Sequence, residues 1–595
     1  MGAEPVLWWW LDQAVPEPSL PALLAPDGLV ISRGELARAV QATIIHLRGQ
    51  GCTSLDRLAL LMAPGPAMAV SLLSGMAVAA VAPLVPTAPL GVVVEDLQRL
   101  RASRLLVDDQ PPPSLLEAAH RLGLPVLALD PFRWPEAGGS SKPGRSAADL
   151  ALLLQTSGTT SRPKVVPLSH ANLLSSSRSV AEVLALGPED RSLAAMPLFH
   201  IHGIVASLLA PLVAGGSVIC CRGNAPGELL RLMASLQPTW LSAVPTLLQG
   251  LLAELDRSGA APPIHTLRLL RSSSSPLPPA VLERLEAVFR VPVLEAYGMT
   301  EAAHQICSNR PPGIAGGRQP GSVGAAAGPE VAILGPDRDL VPAGQNGEVA
   351  IRGANVTTGY EAADHSGWIT VGEGERWFLT GDEGCFDAQG RLTLTGRLKE
   401  MINRAGEKVI PRRVDEALLR HPAVEQALAF AVPHPTLGED LAVAVVLRGG
   451  AAAEEQELRR HAFTVLAPHE VPSRIVVLDA LPRGATGKLQ RIGLAERLAD
   501  LLRSSGEPAC GELEELIAAT VAEVLQQTPP GRDANFFQLG GDSLAGMRVI
   551  SRLAEHLCLD LHPTLLFTCP TPRSLAERLD QLLDEGVAQL EGPHP

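Results

Sequence analysis

The stretch from Thr156 to Lys164 has the residue types of a phosphate-binding loop. Its nine residues include five hydroxyl side chains, a glycine, an arginine and a lysine. Gly158 lets the backbone come close to a ligand, so that N–H groups and hydroxyls can surround an anion, and Lys164 adds a positive charge. The spacing is not the G-x-x-x-x-G-K-[ST] of a Walker loop, and a solvated hairpin rich in serine and threonine would explain the loop alone equally well.

The elements that position this loop are predicted from its flanks. Apolar runs precede it at Leu152–Leu154 and follow it at Val165–Val166. They predict a strand, the loop, a second strand and then a helix that begins near Ser169. The hydroxyl of Ser169 can serve as the N-cap of that helix.

Four further motifs follow this loop along the chain. They are E-A-Y-G-M-T-E at 295–301, T-G-D at 380–382, G-R-L-K-E-M-I-N-R-A-G at 396–406 and P-R-G-A-T-G-K at 482–488. Together with the loop they resemble, in type and in order, the adenylate-forming superfamily of acyl-CoA synthetases, luciferases and peptide-synthetase adenylation domains. The resemblance runs from about residue 25 to 500. It implies an enzyme that activates a carboxylic acid with ATP as an acyl-adenylate.

The resemblance implies a role in nucleotide binding for each matched residue. Tyr297 is expected to stack on adenine and Asp382 to accept hydrogen bonds from both ribose hydroxyls, with Arg397 also at the nucleotide. The phosphates of ATP would be held by the loop, through Thr156, Ser157, Gly158, Thr159, Thr160 and Lys164.

A second group of matched residues is expected to act at the reacting atoms. Thr300 is expected to bond the α-phosphate, and Glu301 to hold Mg²⁺, a hard cation that favours carboxylate oxygen. Lys488 is expected to neutralise the charge that develops between the acid and the α-phosphate. Lys399 matches the hinge of the superfamily, which implies that a small domain swings and removes Lys488 before a thiol takes the acyl group.

Histidines and a serine are the candidates for binding the acid. His200 and His202 lie two residues apart and could share one face of a strand, although ordinary core histidines fit the same pattern. No carboxylate or cysteine at ligand spacing supports a metal there. The resemblance makes this stretch a border of the acid pocket. Ser274 lies in a serine run where many relatives have Gly-Ala-Ala-Pro, which favours a small polar acid unless the run is a loop without a ligand.

His304 is the fourth candidate for the acid pocket. It lies one helical turn past Thr300, so it is predicted to face the same site. The motifs are most similar to the oxalate–CoA ligase branch, in which the histidine that matches His304 lies by the small dicarboxylate. The peptide-synthetase alternative expects an aspartate after a phenylalanine, whereas Phe199 is followed by His200, which disfavours an amino acid substrate.

The last segment has the pattern of a small helical domain with one special serine. After a polar break at 504–511, helices are predicted over Glu512–Gln527, Leu544–His556 and Leu575–Leu583. The G-G-D-S-L motif puts Ser543 at the start of the second of these. This resembles an acyl or peptidyl carrier domain, in which Ser543 receives 4′-phosphopantetheine from a phosphopantetheinyl transferase. A plain N-cap serine is the alternative.

The charge of the chain bounds its partners. Residues 512–595 contain 13 acidic and 5 basic side chains, and an acidic helical surface suits docking on a basic patch of a downstream acyl-accepting enzyme. The whole chain carries a net charge of −14. This argues against nucleic acid and against an anionic membrane surface as partners.

Cysteine use and hydropathy predict a cytoplasmic protein. The eight cysteines show no C-x-x-C spacing and are expected to be reduced thiols, and no basic segment leads into an apolar one as in a signal peptide. Two charge-free stretches, Leu58–Val94 and Gly203–Cys221, are interrupted by prolines or paired glycines. They predict buried core elements and not a membrane span.

The predicted fold class is α/β, because apolar runs alternate with helical patterns. A helix is predicted over Ser32–Arg48, a strand over Leu58–Met62 and a second helix over Met68–Val81. We expect a large N-terminal AMP-binding domain with parallel sheets and flanking helices (1–395) and a small, mobile α+β domain (396–501). A linker (502–511), a four-helix phosphopantetheine carrier domain (512–585) and a tail (586–595) complete the predicted chain.

Three hypotheses about function follow. The first is an ATP-dependent, AMP-forming ligase that joins a small carboxylic acid, polar or dicarboxylic, to coenzyme A. The second is a self-loading starter module of the peptide- or polyketide-synthetase kind, which transfers the acyl group to the phosphopantetheine on Ser543. The third is a carrier scaffold without catalysis.

Overall fold

The computed structural model describes residues 17–590 with gaps. The gaps are 134–144, 157–162, 362–365, 372–373, 405, 435–436, 483–488, 503–507, 526–527, 538, 540, 542, 558 and 563–564. The chain divides into two compact units, with the boundary between Leu394 and Thr395. In the part that the structure describes, no helix is long and apolar enough to cross a membrane.

The first unit contains a six-stranded sheet that carries the predicted phosphate loop. In spatial order its strands are Val126–Ala128, Arg104–Val107, Arg57–Leu61, Ala80–Pro83, Leu150–Gln155 and Val165–Ser169. Every neighbouring pair is parallel except the last, which is an antiparallel hairpin around residues 156–164. The predicted sequence of strand, loop, strand and helix is confirmed. Ser169 caps the helix His170–Val183 by accepting from the N–H of Asn172.

A fourteen-stranded sheet forms the rest of the strand framework of this unit. Its strands, in chain order, are Pro21–Leu24, Val30–Ser32, Arg191–Ala194, Ser217–Cys220, Trp240–Ala243, Leu269–Ser272, Val293–Met299, His304–Ser308, Gly324–Ala326, Glu330–Leu334, Gly347–Arg352, Trp368–Val371, Glu375–Phe386 and Arg391–Arg397. The strands from Arg191–Ala194 to Val293–Met299 pair in parallel. Pairing is antiparallel at one edge, between Pro21–Leu24 and Val30–Ser32, and from His304–Ser308 onward.

Helices cover both sheets, as the predicted α/β class requires. They are Arg33–Gly49, Pro66–Val78, Leu90–Arg99, Pro113–Arg121, His170–Val183, His202–Leu209, Ala210–Val213, Pro226–Leu236, Pro245–Ser258 and Pro279–Phe289. The predicted helix over Met68–Val81 is too long at its end, because Ala79 leaves helical geometry and Ala80–Pro83 forms a strand. This region has no charged residue and few polar ones, so it offers no periodicity with which to separate the two elements.

The second unit begins with the small α+β domain. Its strands are Ile402–Arg404, Glu407–Val409, Val424–His434, Gly438–Leu447 and Arg474–Val477, and its helices are Pro411–Leu419, Glu455–Val465, Leu494–Arg497 and Ala499–Leu502. The two long strands form an antiparallel hairpin. For this domain the sequence predicts helices over Val414–Arg420 and Glu454–Leu466 and strands over Val424–Val432 and Leu441–Leu447. All four are confirmed to within a few residues at each end.

Four helices, Glu512–Leu525, Ser543–Leu557, Leu565–Thr568 and Pro572–Leu590, follow in the second unit. They enclose a core around Phe536, Val549 and Leu553, which confirms the predicted four-helix carrier domain. Ser543 is the first residue of its helix, as predicted. Gly541 packs so closely on the Phe536 ring that an added Cβ would lie 2.3 Å from it, so the G-G-D-S-L turn needs glycine at this position.

Within the second unit, the four-helix domain contacts the small domain through backbone carbonyls. Arg459, on the helix Glu455–Val465, donates to the carbonyl oxygen of Ser473 and, at 2.5 Å, to that of Phe567. The amide of Asn535 also donates to the Ser473 carbonyl. The ring of His434 bonds the Phe537 carbonyl.

Candidate active site

The hairpin around the predicted phosphate loop is closed at its base. The N–H of Thr156 donates to the carbonyl oxygen of Lys164 over 2.9 Å, so the two ends of the loop are held together. Ser157, Gly158, Thr159 and Thr160 lie outside the described residues. Their assignment to the ATP phosphates therefore stays a prediction.

Lys164 is connected to Glu301 through a tyrosine. The ammonium of Lys164 lies 4.4 Å from the centre of the Tyr360 ring, a cation–π distance. The hydroxyl of Tyr360 donates to Glu301 Oε1 over 2.7 Å. The backbone of Thr357 donates to the carbonyl of Glu301, and its hydroxyl donates to that of Pro167 in the hairpin. The structure thus brings the hairpin and Glu301 together.

The E-A-Y-G-M-T-E motif forms the end of one strand and a short turn. Tyr297 is buried in the strand Val293–Met299, and its hydroxyl donates to Asp382 Oδ2 over 2.6 Å. The strand then passes so close to the next one that a Cβ on Gly298 would lie 1.6 Å from the carbonyl oxygen of His304. Thr300 and Glu301 follow in a 3₁₀ turn. The two predicted nucleotide residues, Tyr297 and Asp382, are therefore in direct contact.

The predicted strand for His200 and His202 is wrong. The strand ends at Ala194, and His202 opens a π-helix, in which the N–H of Ala210 bonds the carbonyl of Val205 five residues back. A Cβ at Gly203 would lie 2.2 Å from the Pro197 carbonyl, so glycine allows this tight entry into the helix. His200 lies in the turn before the helix, half-buried, with its ring edge-on to Phe199.

The predicted helical turn between Thr300 and His304 is also wrong. Ala303 and His304 have positive φ values of 46° and 91°, and His304 begins the strand His304–Ser308. Left-handed geometry ends the 3₁₀ turn and reverses the chain. His304 nevertheless reaches the predicted pocket, because its ring stacks on that of His202 with 4.7 Å between the centroids.

His202, His304 and Ser274 form one buried cluster, which we call the histidine pocket. Nδ1 of His202 lies 3.1 Å from the Ser274 hydroxyl, and Nε2 lies 2.7 Å from the Ser242 hydroxyl. Ser274 itself has a positive φ of 74°. Positive φ at Ser274, Ala303 and His304 concentrates backbone strain at this cluster, as is common at ligand sites.

A buried arginine completes the histidine pocket. Arg271 is fully buried at the end of the strand Leu269–Ser272. Its Nη1 lies 3.0 Å from Ser242 Oγ and 3.0 Å from Nε2 of His304, and its Nη2 donates to Gln305 Oε1 over 2.7 Å. Burial alone lowers the pKa of Arg271 to about 9. The guanidinium therefore hydrogen-bonds the side chains of a serine, a histidine and a glutamine.

The remaining predicted site residues lie in the second unit or outside the described residues. The strand Arg391–Arg397 crosses the boundary between the two units, so Arg397 and also Lys399 belong to the second unit, and both are exposed. Lys488 lies outside the described residues. The backbone of Ser543 is at a helix start, as reported above, but its side chain is not described. These roles stay predictions.

Sequence reasoning missed Tyr360, Ser242, Gln305 and Arg271. Tyr360 had one weak signal, because the chain contains only two tyrosines and the other is Tyr297. Arg271 had a better one, since a charged residue next to the apolar pair Leu269–Leu270 requires a buried partner if the strand is internal. Ser242 and Gln305 are ordinary polar residues, and only their contacts distinguish them.

The fold and this site define the class of the protein. The AMP-binding enzyme family matches residues 11–361, which is more than half of the chain, and the C-terminal domain of AMP-binding enzymes matches residues 413–488. The chain therefore belongs to the AMP-binding enzyme family. A phosphopantetheine attachment site domain matches residues 515–579. The expected class of ATP-dependent, AMP-forming acid–thiol ligase fused to a carrier domain is thereby confirmed at family level.

Among curated proteins, the chain is similar to CoA ligases that are named for small acids. The chain is 41% identical over 362 residues to oxalate–CoA ligase of Saccharomyces cerevisiae, a match that spans 61% of this chain and 65% of that protein. It is 43% identical over 359 residues to oxalate–CoA ligase of Arabidopsis thaliana, spanning 59% and 68%. It is 40% identical over 352 residues to sulfoacetate–CoA ligase of Cupriavidus necator, spanning 58% and 66%. The matches thus cover about two thirds of each relative.

Solved structures share the fold. ATP-bound MatB from Rhodopseudomonas palustris is 28% identical, with a TM-score of 0.75 over 84% of this chain and 100% of that one. The o-succinylbenzoate CoA synthetase MenE from Bacillus subtilis, in complex with its acyl-adenylate, is 26% identical, with a TM-score of 0.71 over 82% and 98%. The predicted fold of an adenylate-forming enzyme is confirmed.

Proposed function

We propose that this chain joins a small dicarboxylic or similarly polar acid to the thiol of coenzyme A, through an acyl-adenylate formed from ATP. The observation that carries the proposal is the histidine pocket. It combines a buried cation at Arg271 with hydrogen-bonding groups at His202, Ser274 and His304. A site of this kind suits a compact anion. A fatty chain would desolvate these polar groups without replacing their hydrogen bonds.

Two further hydroxyls support a polar ligand. Ser272 and Ser273 are buried, and within the described part of the chain their hydroxyls have no hydrogen-bond partner. A buried hydroxyl without a partner is costly, and a carboxylate or sulfonate oxygen nearby would relieve that cost. The relatives named for oxalate and sulfoacetate agree with this chemistry, although their substrates are known only for those proteins.

We assign the nucleotide to the other half of the site. Lys164 and the loop residues Thr156–Thr160 would hold the phosphates, Thr300 the α-phosphate, and Tyr297 and Asp382 the nucleoside. Mg²⁺ would be held by Glu301, whose buried carboxylate, oriented by Tyr360, is the kind of oxygen ligand that this ion favours, and it would offset phosphate charge. Arg397 would also contact the nucleotide, and Lys488 would stabilise the charge that develops as the acid attacks.

The proposed thiol acceptor is coenzyme A. The carrier domain supports one alternative acceptor, a phosphopantetheine arm on Ser543. Ser543 opens a helix in a domain that matches the phosphopantetheine attachment family, so an arm placed there by a phosphopantetheinyl transferase could accept the acyl group and pass it to an acyl-accepting enzyme. Lys399 would be the hinge for the domain movement that separates the two steps. We also propose a cytoplasmic location, which is compatible with the unpaired cysteines of the described residues.

Pyrophosphate exchange over a panel of acids tests this proposal. We expect exchange with C2–C4 dicarboxylic acids or sulfonated acids, and none with fatty or amino acids. Thioester should then form with added coenzyme A, equally in the wild type and in Ser543→Ala. Acylation of holo protein in the wild type, absent from Ser543→Ala and undiminished by omission of coenzyme A, would instead favour self-loading. Exchange restricted to long-chain acids would contradict the assigned substrate class.

A further inference from the structure

The hydrogen bonds of Arg271 restrict the protonation of His304. A guanidinium group has N–H donors and no acceptor. Nη1 of Arg271 lies 3.0 Å from Nε2 of His304, so this ring nitrogen must accept. Nε2 of His304 therefore carries no proton, and the single proton of the neutral ring is on Nδ1.

The same guanidinium acts on His202 through a serine. Ser242 Oγ accepts from Arg271 Nη1 over 3.0 Å and lies 2.7 Å from Nε2 of His202. The hydroxyl has one proton to donate, and in its described hydrogen bonds Nε2 of His202 is the only atom that can accept it, because the other partner is a guanidinium. The proton of His202 is then on Nδ1, which lies 3.1 Å from the Ser274 hydroxyl.

Electrostatics favours the neutral form of both rings. Within the described residues, these hydrogen bonds join the titratable groups Arg271, His202 and His304 through the side chains of Ser242, Ser274 and Gln305. The carboxylate nearest to His304 along the chain is that of Glu301, which accepts from Tyr360. Burial lowers the pKa of Arg271, and among the described residues the side chains that hydrogen-bond this guanidinium include no carboxylate. A second positive charge on either of two stacked, buried rings would be repelled by the first.

We propose that Arg271 is a positioning residue that fixes both pocket histidines as neutral rings protonated on Nδ1. The pocket then presents donors, the Nδ1–H of His304 and the hydroxyl of Ser274 polarised by the Nδ1–H of His202, beside a buried positive charge. This arrangement recognises an anionic acid without any change of protonation. Its ligand assignment rests on the proposed function, whereas the tautomers do not.

A pH profile of acid binding distinguishes positioning from simple packing. For an acid that the exchange panel identifies and that is fully ionised, KM of the wild type should be constant between about pH 6 and pH 8, the range in which a free histidine titrates. Arg271→Met releases Nε2 of His304 to take up a proton. Its KM should therefore be about tenfold higher at pH 8 than at pH 6, because an imidazolium binds the acid better than a neutral ring.

Two matched variants refine this test. Arg271→Lys keeps the positive charge but not the two-armed geometry, so its KM should rise while the profile stays flat. Ser242→Ala breaks only the branch to His202, so it should give a smaller pH dependence than Arg271→Met. A profile for Arg271→Met that superposes on that of the wild type would overturn the proposal.

Nitrogen NMR of labelled histidine provides a readout without catalysis. In the full-length, ligand-free protein, the signals of His202 and His304, identified by their loss in His202→Gln and His304→Gln, should show a protonated Nδ1 and an unprotonated Nε2. A protonated Nε2 on His304 in the wild type would refute the positioning role even if the exchange panel confirms a dicarboxylic acid. If the panel finds another acid, the tautomers can still be confirmed, so the two proposals fail separately.

Discussion

Two buried arginines, one in each compact unit, serve different purposes because of what accepts their hydrogen bonds. Arg271 donates to side chains of serine, histidine and glutamine. Arg459 donates to the backbone carbonyls of Ser473 and Phe567. Burial is the main cause that lowers the pKa of each, to about 9 for Arg271 and about 10 for Arg459. The cost of desolvation is therefore similar, and the acceptors distinguish the two.

The difference lies in what each guanidinium can influence. A backbone carbonyl has no proton to gain or lose, so the hydrogen bonds of Arg459 hold chain segments together. These segments are the residue before a strand of the small domain and a short helix of the carrier domain. The acceptors of Arg271 include a ring that can be protonated at either nitrogen, so its position selects one chemical state. A buried cation bonded to titratable side chains indicates a ligand site, and one bonded to carbonyls indicates architecture.

The largest expected effect is on stability. Arg459→Met leaves the Phe567 carbonyl without its side-chain donor and leaves the Ser473 carbonyl with Asn535 alone. This should cost about 2–3 kcal/mol in the free energy of unfolding of the second unit. Pyrophosphate exchange per folded molecule should be retained at a temperature below the transition. The measurement is chemical unfolding followed by hydrogen exchange of peptides from each unit. Arg460→Met, an exposed change on the same helix, is the control and should cost less than about 0.5 kcal/mol. A stable Arg459→Met protein with impaired exchange would reverse the comparison.

A buried histidine beside a third arginine provides the second test. The pKa of His170 is lowered to about 4, chiefly by burial and then by the charge of Arg145, against the raising effects of Asp149 and a backbone contact with Met76. Arg145 itself donates to backbone carbonyls. An unfolded chain takes up this proton near pH 6.5, so stability is lost as the pH falls from there toward 4, by about 2 kcal/mol at pH 5.

The control for this pH effect is a variant that cannot titrate. His170→Gln should flatten the fall in stability between pH 7 and pH 5, measured by thermal unfolding and by hydrogen exchange of the peptide that contains residue 170. Exchange activity at pH 7 should not change, because this histidine is not part of the site. An undiminished fall in His170→Gln would assign the acid sensitivity to other groups.

Local signals predicted much of the fold, and long-range contacts account for what they missed. The N-cap at Ser169 and the helix start at Ser543 are local features, and both predictions are confirmed. His202 and His304 were predicted in the same pocket by the family resemblance, but through wrong elements. The π-helix requires a close approach to Pro197, and the reversal at His304 requires the space beside Gly298. Neither approach is encoded in periodicity.

A substitution at Gln305, which accepts from Arg271, tests whether this arginine acts in acid binding whereas Arg459 does not. Gln305→Glu places a carboxylate, of nearly the same shape, against Nη2 of Arg271, where the amide oxygen now accepts at 2.7 Å. The carboxylate at position 305 should partly neutralise the positive charge of Arg271, which weakens the attraction of the acid and raises its KM about tenfold. The KM for ATP should stay unchanged. No equivalent change can be made at Arg459, because its acceptors are backbone atoms. Gln305→Met, which adds no charge, is the matched control, and an equal rise in both variants would contradict an electrostatic cause.

The smallest expected effect concerns a single hydrogen bond from a neutral hydroxyl to the carboxylate of Glu301. Tyr360→Phe keeps the ring beneath Lys164 but removes the hydroxyl that donates to Glu301 Oε1. The loss of one hydrogen bond to a carboxylate should cost about 1 kcal/mol, or roughly a fivefold rise in the Mg²⁺ concentration that supports half-maximal exchange. Phe378→Leu, in the apolar cluster behind this ring, controls for altered packing and should leave that concentration unchanged. If Tyr360→Phe raises the KM for the acid instead, then Tyr360 acts on the histidine pocket and not on Glu301, and the boundary that we draw between the two halves of the site is misplaced.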